Sequence, residues 1–350
     1  MENIKKSFKN KKILVTGHTG FKGSWLSLWL KELGADVSGY SLPPKNNPNL
    51  YSILNLDLPE TLADINDKNS LSRHLQKYKP EIIFHLAAQP LVRESYNDPV
   101  GTFQTNIAGV WNLLDLIKKT PSVKVVVVVT TDKCYKNNEN GVPFVETDPL
   151  GGYDPYSASK ACVEIICESW KSSFLSEQGD PVLATVRAGN VIGGGDWSTD
   201  RLIPDCIRSF ISNEFVNIRY PNSVRPWQHV LEALYGYIIL AEKLYNFGNK
   251  YSGAWNFGPN MENQATVGDV VSIASELWGT KNVFKKQSIN NLHEVELLRL
   301  DITKATKELD WRPRWDINQT LSETVEWYKK WHQGDDMLIY TINQIKKYGM

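Results

Sequence analysis

The sequence predicts an α/β protein built on a doubly wound parallel sheet, with a smaller mixed α/β lobe attached. Three observations carry this reading. Short continuous apolar runs, of the kind a strand buried on both faces requires, alternate with segments of helical recurrence from residue 13 to residue 187. A turn containing Gly17, Gly20 and Gly23 joins the first run to the first helix. After Arg187 the alternation gives way to the glycine-rich loop 189–197 and then to helices separated by Pro/Trp-rich turns.

Taken in order, residues 13–17 (ILVTG) read as a buried strand, 24–33 as a helix closed by Gly34, and 36–40 as a second strand. Residues 81–88 form another apolar run and 99–119 another helical pattern. The five valines of 125–129 are too β-branched for a comfortable helix and too uniform for a half-exposed strand. The helix carrying Tyr156 and Lys160 comes next, and 182–187 is one more strand. Beyond it, helices are expected at roughly 230–246, 266–279 and 318–333. The division expected is a sheet domain over 1–187, rejoined by about 228–258, with 188–350 mostly in the second lobe.

Composition narrows the function. The 350 residues are 41% hydrophobic and 22% charged, ordinary for a soluble globular protein. Lysine plus arginine (39) balance aspartate plus glutamate (39), which leaves no electrostatic footprint for nucleic acid or an anionic membrane. Any phosphate binding must therefore be local. No apolar run has signal-peptide or membrane-spanning character, so a cytoplasmic protein is expected. Cys134, Cys162, Cys167 and Cys206 show no CxxC pair or regular spacing, which argues against a metal or a disulfide framework. Nothing in the pattern accounts for the twelve tryptophans.

The turn Gly17-x-x-Gly20-x-x-Gly23 lies between a buried strand and a helix, the setting of a dinucleotide-binding Rossmann unit. Glycines there permit a tight turn and close approach of a pyrophosphate to free helix N–H groups. Gly17, Thr19, Gly20, Phe21, Lys22 and Gly23 are assigned to the cofactor on this basis. The acidic residue expected some 20 positions on, for the adenosine ribose, is missing, since the second strand ends Gly39-Tyr40-Ser41-Leu42. These residues leave NAD and NADP both open. Asp64 and Ile65 follow a plausible third strand and either meet the adenine or are ordinary surface residues. Leu86, Ala87 and Ala88 end the run that begins at Glu81; their small size either makes room for a cofactor or packs the sheet edge. Gln89 follows them toward the substrate side, and Asn106 either supports the site or is a buried amide.

Tyr156 and Lys160 share one helix face. An ammonium near a phenol favours the phenolate, making a base usable nearer neutral pH. Thr131-Asp132-Lys133 emerges from the valine strand, at the sheet end where catalytic groups of open α/β folds collect, and reads as an acid beside a base.

Together these motifs resemble the extended short-chain dehydrogenase/reductase family, over nearly the whole chain. Thr131-Asp132 ahead of the tyrosine is similar to the sugar-nucleotide 4,6-dehydratases within it. Gly17-His18-Thr19-Gly20-Phe21-Lys22-Gly23, Lys133 in place of a glutamate, and Gly193-Gly194-Gly195-Asp196-Trp197 are similar to the branch acting on CDP-glucose. The resemblance implies NAD as cofactor, a homodimer or dimer of dimers, and a product used for dideoxysugars of lipopolysaccharide O-antigen. It implies that Tyr156, Lys160 and Thr131 act at the sugar 4-hydroxyl, Asp132 as acid at the 6-hydroxyl, and Lys133 or a water as base at carbon 5. Asn190 and Arg225 are expected at the substrate diphosphate, with Arg187 and His229 either substrate-binding or structural. Rival readings are a 4,6-dehydratase or epimerase for another nucleotide sugar (dTDP-glucose, GDP-mannose) and, from another class, a silent dinucleotide sensor.

Overall fold

The computed structural model describes residues 2–137, 141–260, 265–281, 283–286 and 298–349. Its centre is a parallel sheet of seven strands: β1 (Lys12–Thr16), β2 (Asp36–Ser41), β3 (Glu60–Leu62), β4 (Ile82–His85), β5 (Val125–Val129), β6 (Val182–Ala188) and β7 (Gly253–Phe257). Their order is β7-β6-β5-β4-β1-β2-β3. The chain runs outward from β1 to one edge, returns to β4, and runs to the other edge. The reversal falls between β1 and β4, where Ile13 pairs with Ile82 and Thr16 with His85. In such sheets ligands sit beyond the carboxyl ends of the strands at this switch point.

The valine strand explains the layering. Successive side chains of a strand point to opposite faces. Val125, Val127 and Val129 enter one core, with Trp25, Trp29 and Leu30 of helix α1 (Phe21–Glu32). Val126 and Val128 enter the other, with Leu71 and Leu75 of α2 (Lys68–Tyr78), Leu113 of α3 (Gly109–Ile117) and Val163 of α4 (Pro155–Phe174). Burying a valine fully is worth roughly 1.5 kcal/mol or more, so a strand without a polar face is stable only in mid-sheet.

Helix α5 (Val230–Phe247) packs on the first face and delivers the chain to β7, which pairs in parallel with β6. Residues 230–257 thus contribute a helix on the sheet and its edge strand. The remaining described elements include α6 (Val267–Trp278), α7 (Ile317–Gln333) and α8 (Met337–Gly349). Tryptophans serve this seam. Trp25, Trp29, Trp255, Trp311 and Trp327 are all under 2% exposed, and Trp29 stacks on Tyr235 with ring centroids 6.1 Å apart. Tyr348 near the chain end donates to the buried Glu232 Oε2 of α5 at 2.5 Å, docking α8 onto the sheet domain.

Candidate active site

The glycine turn is shaped for close approach. Gly17 leaves β1 with φ +74°, and a Cβ there would stand 2.7 Å from the Ala87 nitrogen beyond β4. A Cβ on Gly23 would stand 2.1 Å from the Gly17 carbonyl oxygen. Thr19 Oγ1 donates to the Leu42 carbonyl at 2.8 Å and so fixes the turn to the end of β2. Helix α1 begins after Gly20 with no side-chain cap and no acidic residue in its first turn. Its N–H groups at Phe21, Lys22 and Gly23 thus remain available to an anion, which fits a dinucleotide pyrophosphate.

The acid missing from β2 has a physical counterpart that the sequence pattern did not reveal. Gly39 carries no side chain because the His18 ring lies on it, 2.5 Å from where a Cβ would be. His18 Nε2 reaches Glu60 Oε2 of β3 at 2.6 Å, and Tyr51 donates to the same oxygen at 2.7 Å. Asp64 is exposed, its Oδ1 accepting from the Asn66 nitrogen at 2.9 Å, while Ile65 is buried against Gly109.

Beyond β4, the Leu86 and Ala87 nitrogens donate to Thr16 Oγ1 at 3.2 and 3.3 Å, and Ala88 is half-buried beside them. Gln89 spends its side-chain amide locally, on Leu91 and Thr102. Asn106 stands in a π-helical turn, Gln104–Ala108, and is 1% exposed. Its Oδ1 accepts from the Gln89 nitrogen at 2.7 Å; its Nδ2 donates to the Gln89 carbonyl and to Ser159 Oγ at 2.8 Å. Asn106 therefore ties the loop after β4 to the tyrosine helix.

Asp154 caps α4, accepting from the Ser157 nitrogen, and the helix presents Tyr156 and Lys160 to the sheet end. Tyr156 is 8% exposed, and burial pushes its pKa up to about 12; the neighbouring Thr131 side chain and the charge of Arg201 oppose the rise. Lys160 donates to the Val129 carbonyl at 3.0 Å, and burial lowers it to about 8 against the pull of Glu164. The Lys160 ammonium is thus anchored to the end of β5, one helical turn from Tyr156.

Asp132 is 1% exposed. Its Oδ1 accepts from Thr131 Oγ1 at 3.0 Å and from Lys133 Nζ at 3.2 Å, while Oδ2 is buried without a hydrogen-bond partner. Such a bare buried carboxylate oxygen can still take up a hydroxyl or water. Lys22 of the glycine turn belongs to the same cluster: burial first, then Arg201, lowers it to about 7, with Asp132 opposing.

Two candidates lie inside the protein instead. Arg187 is 3% exposed, its guanidinium donating to Glu164 Oε2 at 2.8 Å and to the Tyr135 hydroxyl at 2.7 Å. His229 is fully buried, accepts from the Leu231 nitrogen as the cap of α5, and is held neutral by burial at a pKa of about 3. Neither side chain is free to bind a diphosphate. Asn190 and Arg225 are half-buried, and Arg225 lines one recess with Asn260 and Arg299. Arg201, which the sequence reading missed, is held at 2.8 Å by the buried Asp196 and lies near Tyr156. The available signal was Asp196 itself, an acid in an apolar glycine-rich loop that needs a cation.

A parallel sheet in this order, a glycine turn at its switch point, and threonine, tyrosine and lysine converging beside it define a short-chain dehydrogenase/reductase-type dinucleotide enzyme. The chain belongs to the GDP-mannose 4,6 dehydratase family, whose model matches residues 14–324. It is 49% identical to a CDP-glucose 4,6-dehydratase of Salmonella typhimurium over 99% of this chain and 98% of that protein. It is 27% identical to a dTDP-glucose 4,6-dehydratase of Haemophilus influenzae, over 90% of this chain and 97% of that one. The structure of a Bacillus anthracis dTDP-glucose 4,6-dehydratase in complex with NAD superposes with a TM-score of 0.77 at 24% identity, covering 94% of this chain and 99% of that one.

Proposed function

We infer that this chain is an NAD-dependent hydro-lyase converting CDP-D-glucose to CDP-4-keto-6-deoxy-D-glucose. The observation that carries the reading is Asp132, a buried carboxylate with one unpartnered oxygen, set between Tyr156 and Lys133 in a site otherwise equipped for sugar oxidation. The 49% identity to a CDP-glucose enzyme, against 27% to a dTDP-glucose enzyme, supports the choice of nucleotide.

Bound NAD supplies a hydride acceptor that can return what it takes. The chain's residues handle the protons. Tyr156 takes the proton of the sugar 4-hydroxyl, and Thr131 directs that oxygen. With a ketone at carbon 4, the carbon-5 proton becomes acidic, and Lys133, or a water it holds, removes it. Asp132 protonates the departing 6-hydroxyl, which leaves as water. Asn190 and Arg225 hold the diphosphate, Arg225 through a guanidinium fork suited to phosphate oxygens. In this proposal the substrate lobe is the part beyond β6, apart from α5 and β7. Val100 (74% exposed), Trp111 (46%) and Ile165 (56%), on the helices flanking the π turn and on α4, form the face we assign to a homodimer. No helix among the described residues is long and apolar enough to cross a membrane. We place the enzyme in the cytoplasm, feeding dideoxysugar synthesis.

The test is incubation with CDP-, dTDP-, UDP- and GDP-linked sugars and mass detection of the loss of one water. Conversion of CDP-glucose well ahead of the others is expected. Preference for another nucleotide, or isomerisation without water loss, would refute the reading.

A further inference from the structure

The cluster around Asp132 contains one residue with no functional group of its own, and its geometry is constrained. Gly189 follows β6 and precedes Asn190, and both are half-buried. Its φ lies outside the left-handed region, so its backbone conformation does not call for a glycine. The space around it does. A Cβ on Gly189 would stand 2.6 Å from Cγ of Pro226 and 2.9 Å from Oδ2 of Asp132.

Neither neighbour can yield cheaply. Asp132 has a short side chain, is 1% exposed, and is anchored through Oδ1 by Thr131 and Lys133. Pro226 is a ring fixed between Arg225, which pairs with Ala265, and the buried Trp227, whose nitrogen donates to the Arg225 carbonyl at 2.9 Å. The oxygen that a Cβ would crowd is the unpartnered Oδ2.

We propose that Gly189 is a positioning residue for the elimination step: the space at its α-carbon sets where Asp132 Oδ2 stands and how closely the Arg225-Pro226 segment approaches it. The proposal rests on the proposed dehydratase reading, with Asp132 protonating the sugar's 6-hydroxyl. Gly189 joins two subsites, since the segment that would hold the diphosphate and the carboxylate that would serve carbon 6 meet over one missing methyl group. A methyl there displaces Oδ2, Pro226 or both, and lengthens the path from carboxylate to leaving group. Oxidation at carbon 4 relies on Tyr156 and Thr131 and is spared.

The experiment is a double-mutant cycle of Gly189→Ala and Asp132→Asn. It measures water loss by mass and oxidation at carbon 4 by the absorbance of reduced cofactor in a single turnover with CDP-glucose. Gly189→Ala is expected to slow water loss at least tenfold, to change the oxidation rate less than twofold, and to have less than a twofold further effect in the Asp132→Asn background. Equal losses in both backgrounds, a matching fall in the oxidation rate, or full activity would overturn the proposal. A Gly189→Ala protein that does not fold would overturn it too, by assigning the glycine to the fold. The underlying reading fails separately, if Asp132→Asn alone loses water at the wild-type rate.

Discussion

Glu164 stands one helical turn beyond Lys160 and accepts from Arg187 at 2.8 Å, with both partners 3% exposed. The same carboxylate accepts from Thr130, which precedes the Thr131-Asp132-Lys133 segment, and from Thr185 of β6. Arg187 in turn holds Tyr135, at the far end of that segment. Breaking a buried pair by removing one partner leaves an uncompensated charge and costs about 3–5 kcal/mol. Arg187→Met is expected to lower stability by about that amount in urea unfolding, while substrate affinity measured on the folded fraction stays within a few-fold. A large loss of affinity with unchanged stability would return Arg187 to the substrate site.

Thr131 and Tyr156 make a pH prediction. The Thr131 side chain lowers the phenol's pKa, opposing the burial that raises it to about 12. Removing its hydroxyl in Thr131→Val raises the pKa, so the fraction of base at any given pH falls. The rising limb of kcat/KM against pH is expected to move to higher pH, with the rate at pH 7 down roughly 10- to 100-fold. A limb that does not move would separate Thr131 from the ionisation of Tyr156.

Lys160 offers a stability test with a defined sign. Its folded pKa is about 8, below its ordinary value of 10.5. Between these values the unfolded chain binds more protons, so stability rises with pH in that window, and the full cost of the buried ammonium is borne below pH 8. Lys160→Met is expected to be inactive yet more stable at pH 7, by on the order of 2 kcal/mol after allowing for the lost bond to the Val129 carbonyl. The gain should shrink as pH climbs above 8. Thermal unfolding at pH 7 and pH 9.5 checks both parts.

In the proposed mechanism Asp132 and Lys133 divide the elimination. Asp132→Asn is expected to reduce water loss about 10²- to 10⁴-fold while exchange of the carbon-5 proton with deuterated solvent continues. In Lys133→Met that exchange should fall together with water loss. Undiminished exchange would leave the carbon-5 proton to another group.

Strands and helices were legible where period and composition agreed. The five valines had one stable place, and the strand, glycine turn and helix over 13–33 could hardly be read otherwise. The site was legible where chemistry clustered along the chain, as in Thr131-Asp132-Lys133. It was less legible where partners are far apart. An arginine at the end of a strand looks the same whether it faces a phosphate or a glutamate 23 positions earlier, as Arg187 does. His229 reads as a ligand until the helix it caps is seen. Arg201 and Glu60 escaped because their partners, Asp196 and His18, give no periodic signal. Lys22 was assigned to the phosphate turn, and its proximity to Asp132 and Arg201 emerges only from the folding of the glycine-rich loop over α1.

The π turn at Gln104–Ala108 also has a bearing on what the chain can tolerate. Such a turn holds one residue more than an α-helical turn, so deleting a residue there would restore a continuous helix and satisfy local backbone preference. The widened turn absorbs that extra residue, so the two halves of the helix would keep their phase and Leu113 its place in the core; what the deletion would straighten is the backbone that sets Asn106 against Gln89 and Ser159. Helical regularity and the Asn106 clamp are thus mutually exclusive, and this segment is one where a shorter, locally better sequence would make a poorer enzyme.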